Sequence, residues 1–206
     1  MVDVAIAFDT TGSMSSKIDG LVACAAAMVR TLDGTGLDWR LTAVPFGDLL
    51  VFGDTIDESL PWCADVAVAE ASLRSMRRNS GGGNDGESSF EAVLAAARKV
   101  GRQGALRVVL LVTDEPPLTA AVRAEQVLAE LRGRDVLCSV ISPDRDDFRS
   151  FAEMTGGTWL LIGSGVDMRS LVEAWGHLGG AIATRVRAVV EFGGSPQRAL
   201  ELEAGR

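Results

Sequence analysis

The run Leu106 to Val112 is apolar apart from Arg107 and stops abruptly at Thr113-Asp114-Glu115-Pro116-Pro117. A strand of this kind has no face suited to water, so its sheet needs a cover on both sides, the usual condition of a parallel strand in an α/β protein. Val2 to Phe8 reads the same way, with Asp3 as its one charged interruption. Trp39 to Phe46 is the next expected strand, and Pro45 marks it as an edge strand or a strand end. A short strand at Leu49-Leu50-Val51-Phe52, returning antiparallel beside it, and later strands at 135–141 and 158–162 complete the β pattern. Helical spacing of apolar residues falls between them. It runs from a cap at Ser15 or Ser16 to Leu32, from Val66 to about Arg78, from Phe90 to Val100, and over 119–132, 146–155 and 167–189. This alternation predicts a Rossmann-like, doubly wound, mostly parallel sheet of about six strands between two helix layers. Residues 1–190 form one domain in this reading. Gly193-Gly194-Ser195-Pro196 then opens a tail or linker over 191–206.

Composition narrows the function classes. A net charge of -8 and a pI near 4.7 repel phosphate backbones, which argues against nucleic acid as a partner. No uninterrupted apolar run approaches the ~20 residues of a membrane span, and no basic segment precedes the first strand. Cys24, Cys63 and Cys138 are odd in number, widely spaced and without a CxxC pair, so they predict no disulfide framework. Cys24 and Cys138 sit in apolar runs, where a thiol behaves as a small hydrophobe, and a reducing compartment, the cytoplasm, is the expectation.

Three polar segments carry the chemistry. Asp9-Thr10-Thr11-Gly12-Ser13-Met14-Ser15 packs a carboxylate, hydroxyls and a glycine into one strand-to-helix turn. Gly12 is expected there for a left-handed or tight backbone. Ser80-Gly81-Gly82-Gly83-Asn84-Asp85-Gly86-Glu87 opens a later helix, and Thr113-Asp114 ends the apolar strand. In a doubly wound sheet these segments meet at the C-terminal edge, where ligands collect. Asp9, Thr11, Ser13, Asp85 and Asp114 together make an oxygen-only donor set. That set suits Mg²⁺ or Mn²⁺ and disfavours zinc. The one histidine, His177, reads as a partly exposed residue of the last helix and not as a ligand.

These motifs resemble those of the von Willebrand factor A domain and its metal-ion-dependent adhesion site. The family's Asp-x-Ser-x-Ser is matched by Asp9, Thr11 and Ser13, with Thr11 keeping the hydroxyl, and its strand-end aspartate by Asp114. The glycine-rich segment resembles the family's middle loop, with an acid where a threonine usually stands. Asp85 is the first choice for that position and Glu87 the second. The resemblance covers about residues 2–190 and implies a cation with one coordination position left for a partner's carboxylate. It also implies movement of the last helix on binding, and work beside an AAA-type ATPase or another multi-protein assembly. Two aspartates neutralise a divalent ion. A third acid makes the site negative, which tightens the metal and weakens its pull on an incoming carboxylate.

The leading expectation is a non-enzymatic, metal-dependent protein-interaction module. No Ser-His-Asp set, GxxxxGK loop or His-activated cysteine is present. One alternative is a haloacid-dehalogenase-like phosphohydrolase with Asp9 as nucleophile. It lacks the acid two residues on, where Thr11 stands, and its lysine would have to be Lys99, inside a helix. The other alternative is a metal-free structural scaffold.

Overall fold

Among the described residues, five strands build the sheet: β1 (Val2–Asp9), β2 (Trp39–Phe46), β3 (Leu106–Val112), β4 (Val136–Ser142) and β5 (Trp159–Leu161). The computed structural model describes residues 1–83, 86–118, 121–162 and 168–192. Among these the strands run in the order β2-β1-β3-β4-β5, every pair parallel. The helices are α1 (Ile18–Asp33), α2 (Val66–Arg74), α3 (Ser89–Lys99), α4 (Ala124–Gly133), α5 (Asp146–Thr155) and α6 (Met168–Phe192). The expected α/β class holds, and Pro45 sits on an edge strand, where its missing N–H costs no ladder bond.

Strand alternation sorts the core. Val2, Val4, Ile6 and Phe8 of β1 face α1, α2 and α6, while Ala5 and Ala7 face the layer of α3, α4 and α5. Those alanines meet Ala92, Ala95, Ala96 and Ala97 of α3, so helix and sheet come close together without large side chains between them. Phe90, Phe148 and Phe151 fill the remaining space, with ring centroids 5.3 to 6.4 Å apart.

The short antiparallel strand expected at Leu49–Phe52 is instead a turn. Asp48 folds it, its side chain accepting Leu50 N at 2.8 Å and its carbonyl accepting Val51 N at 2.9 Å, and Gly53 closes it at φ +93°. Local side-chain bonding defeats the strand pattern and leaves Leu49, Leu50 and Phe52 exposed. Among the described residues, antiparallel pairing beside β2 is confined to the bridge between Leu41 and Cys63. The α1 cap also differs: the N-cap is Lys17, preceded by a 3-10 turn over Gly12–Met14. Of the expected tail, 193–206 lie outside the described residues.

The junction of α5 and β5 allows one stability prediction. Gly156 ends α5 at φ +76°, and Gly157 presses on β4 so closely that a Cβ there would lie 1.8 Å from the Cys138 carbonyl oxygen. Gly157→Ala is expected to lose about 2 kcal/mol as backbone is forced apart. Gly133→Ala, whose Cβ meets open space, should be close to neutral. Urea denaturation of both variants tests this; equal midpoints would refute it.

Candidate functional site at the C-terminal edge of the sheet

The polar turn after β1 is shaped by its own carboxylate. Asp9 is fully buried, and its Oδ1 accepts Thr11 N at 3.0 Å and Thr11 Oγ1 at 2.7 Å. Its Oδ2 accepts Thr113 Oγ1, from the end of β3, at 2.8 Å. The chain of contacts continues outward: Thr11 Oγ1 lies 3.2 Å from Ser13 Oγ, and Ser13 Oγ donates to Asp114 Oδ1 at 2.8 Å. Ser13 and Asp114 are 101 positions apart in sequence. They meet because β1 and β3 are neighbours where the strand order reverses, the switch point of a doubly wound sheet. The other oxygen of Asp114 is ion-paired with Lys17 Nζ.

A second loop closes over the first. Thr10 bonds the Phe46 carbonyl through both N and Oγ1, and Asn79 Nδ2 donates to Thr10 Oγ1 at 3.0 Å. Asp54 holds the start of the glycine loop by accepting Ser80 N, Ser80 Oγ and Gly81 N, each at 2.8 Å. Burial pushes the Asp54 carboxyl up, but these donors outweigh it and hold it below the ordinary range. Gly81, at φ +73°, then passes over Thr11; a Cβ there would sit 3.2 Å from both Thr11 Cβ and Glu87 Oε1. Gly12 matters for space, not for a left-handed backbone: its N donates to Ser80 O at 3.3 Å, and it has no positive φ.

Between the two loops lies a cleft of about 70 Å³, lined by Thr11, Ser13, Gly81, Glu87 and Glu115 among others. Glu87 is 4% exposed and its Oε2 has no hydrogen-bond partner. Burial, reinforced by the charges of Asp9, Asp48, Asp54 and Glu115, pushes its carboxyl up to about 8. Asp9 is raised to about 6, first by burial and further by Asp114, against the lowering effect of its Thr11 and Thr113 hydrogen bonds.

Of the residues expected from sequence, the structure brings Asp9, Thr11, Ser13 and Asp114 into one linked group. Asp85 lies outside the described residues, and Glu87 is the middle-loop acid found in the cleft. Sequence reasoning missed three participants. Thr113 was legible only as the neighbour of Asp114, Asp54 only as part of a loop, and Lys17 only as a residue one helical turn beyond Ser13. Among the described residues, no three His, Cys, Asp or Glu side chains form a metal-holding group. The donors gathered here are carboxylates mixed with hydroxyls.

No protein-family model matches the chain, and no curated protein matches it significantly. Solved structures do resemble it. A von Willebrand factor type A protein from Catenulispora acidiphila superposes with TM-score 0.65 at 19% identity, over 88% of this chain and 42% of that one. The conserved hypothetical protein BatB from Bacteroides thetaiotaomicron gives 0.64 at 17% identity, over 89% of this chain and 100% of its own. The pilus adhesin SpaC from Lactobacillus rhamnosus GG, in an open conformation, gives 0.60 at 12% identity, over 88% of this chain and 30% of its own. This chain thus spans less than half the length of the first and third. The fold is von Willebrand factor A-like.

Proposed function

We propose that this chain is a non-catalytic, metal-dependent protein-interaction module whose cation is held by Asp9, Thr11, Ser13, Asp114 and a middle-loop acid. The observation that carries the reading is the linked series Asp9–Thr11–Ser13–Asp114, drawn from two distant segments to one sheet edge. The donor chemistry fits a hard cation. Thr11 gives its proton to Asp9 and Ser13 gives its proton to Asp114, which leaves hydroxyl lone pairs for an ion. The orphaned Oε2 of Glu87 is a buried acceptor that such an ion would satisfy, and its place in the cleft supports Glu87 for the middle position. Thr113 orients Asp9, and Asp54 fixes the loop that carries the middle acid, so these two position the site without lining it.

A bound Mg²⁺ or Mn²⁺ supplies the positive charge that a partner's carboxylate recognises. A middle-loop acid joining Asp9 and Asp114 around the ion would leave a net negative charge, so that the metal would be held firmly and the partner would depend on further contacts. The pilus adhesin among the similar structures supports a role in contact with another macromolecule. The partner class is another protein, such as an AAA-type ATPase or another multi-protein assembly. Three free, buried cysteines agree with a cytoplasmic setting. Among the described residues, no helix is long and apolar enough to cross a membrane. The hydrolase alternative has less support. Thr11 stands where an acid is needed, and Lys99 donates to the Glu58 and Leu60 carbonyls, at the end of α3 away from the cleft.

Calorimetric titration with Mn²⁺ and Mg²⁺ tests the reading. The unaltered chain should bind one ion, and Asp114→Asn or Ser13→Ala should weaken it by about 10–100-fold. Millimolar Mn²⁺ that neither binds nor raises the melting temperature would refute it.

A further inference from the structure

Resting on the cation site proposed above, we infer that Lys17 is the site's internal counter-cation. Its ammonium holds Asp114 when no divalent ion is present and must leave that carboxylate for one to bind. The ion pair between Lys17 Nζ and Asp114 Oδ2 completes Asp114, whose other oxygen accepts Ser13 and whose side chain is only 8% exposed. A divalent ion at the hydroxyls of Thr11 and Ser13 would have to share Asp114 with that ammonium, and like charges at ion-pair distance repel. Lys17 therefore competes with the metal for the same oxygens.

Two independent features set Lys17 apart. It occupies the N-cap of α1 and makes no side-chain cap bond. That position favours Ser, Thr, Asp or Asn, and a cation there opposes the positive end of the helix dipole. Ser15 and Ser16 immediately precede it, yet neither is the N-cap of α1. Local propensity therefore does not favour this lysine, whereas its tertiary partner Asp114 gives it a role. The second feature is composition: of the 20 Lys and Arg residues, only Lys17 and Lys99 are lysine. Arginine would clamp a carboxylate with a rigid two-pronged fork, whereas an ammonium is a compact, readily hydrated point charge on a flexible stem. Lys17 is also 28% exposed, so its side chain already borders water.

The scarcity of lysine gives a direct test. Limited acylation of the unaltered chain, mapped by mass spectrometry, reads Lys17 against Lys99, which is bonded to the Glu58 and Leu60 carbonyls away from the site. Adding Mn²⁺ should raise the modification rate of Lys17 several-fold and leave Lys99 unchanged. In parallel, Lys17→Met should bind Mn²⁺ about 10-fold more tightly, and in chelator should melt lower than the unaltered chain. Intact Mn²⁺ binding with an unchanged Lys17 rate and equal affinity in a folded Lys17→Met would overturn the inference and leave the cation site standing. Absence of binding in both proteins would overturn both.

Discussion

Asp3→Ala is expected to lose about 3 kcal/mol of stability, far from the candidate site and without changing its chemistry. Asp3 is the charged interruption of β1, and it is fully buried. Its carboxylate accepts both prongs of Arg40, each at 2.8 Å, and lies 3.0 Å from Arg102 Nε. It also accepts the backbone amides of Arg102 at 3.0 Å and Gly101 at 3.3 Å. Register places Arg40 directly beside Asp3 across the β1–β2 pair, and the same guanidinium stacks over Trp62 at 4.2 Å. Truncating the acid leaves Arg40 and two amides without their acceptor and removes the charge beside Arg102, which keeps Asp38 and the Val2 carbonyl; such a change costs about 3–5 kcal/mol when fully buried. Both arginines remain about a quarter exposed, so water softens the loss toward the lower end.

Burial alone would raise the Asp3 carboxyl. The Arg40 hydrogen bond, the two amides and the Arg40 charge outweigh it and hold the group below the ordinary carboxylate range. With the folded value below the unfolded one, this stabilisation is complete above about pH 4 and is lost as pH falls. Urea denaturation at pH 7 measures the cost, and a loss under about 1 kcal/mol would contradict it. Asp3→Asn keeps the shape without the charge and should fall between.

How far the sequence carried can be judged residue by residue. The apolar runs that became β1 and β3 were legible because a strand covered on both faces leaves no polar alternation to misread. Asp9, Thr11, Ser13 and Asp114 were legible because strand ends in such a sheet share one edge. Leu49–Phe52 was misread because four apolar residues suit a strand equally well, and only the Asp48 side chain decides for a turn. Lys17 and Glu87 depended on facts no pattern contains. Lys17 matters through a partner nearly a hundred positions away, and Glu87 through burial set by the fold of the glycine loop over Thr11. Asp3 was visible as an interruption, but its two arginine partners come from β2 and from the turn after α3.

In the presence of chelator, the melting temperature is expected to fall by roughly 10 °C between pH 5 and pH 8.5. Glu87 and Asp9 both carry folded values above their ordinary ones, about 8 and about 6. Between the unfolded and folded values the native state binds more protons than the unfolded chain, so stability declines as pH rises through that window. For Glu87 the displacement corresponds to on the order of 4 kcal/mol, which for a domain of this size is a shift of that order in melting temperature. Asp3 does not interfere, because its contribution changes only below about pH 4. The structural cause is one carboxyl, 4% exposed, with an oxygen that has no partner and four acids acting on it. Glu87→Gln removes the titrating group at nearly constant shape. It should match the unaltered chain at pH 5, exceed it by most of the 10 °C at pH 8.5, and flatten the slope between. Mn²⁺ added to the unaltered chain at pH 8.5 should recover a similar amount by neutralising the same acids. A melting temperature that is flat or rises from pH 5 to 8.5 in chelator would show that Glu87 is not held protonated by its surroundings.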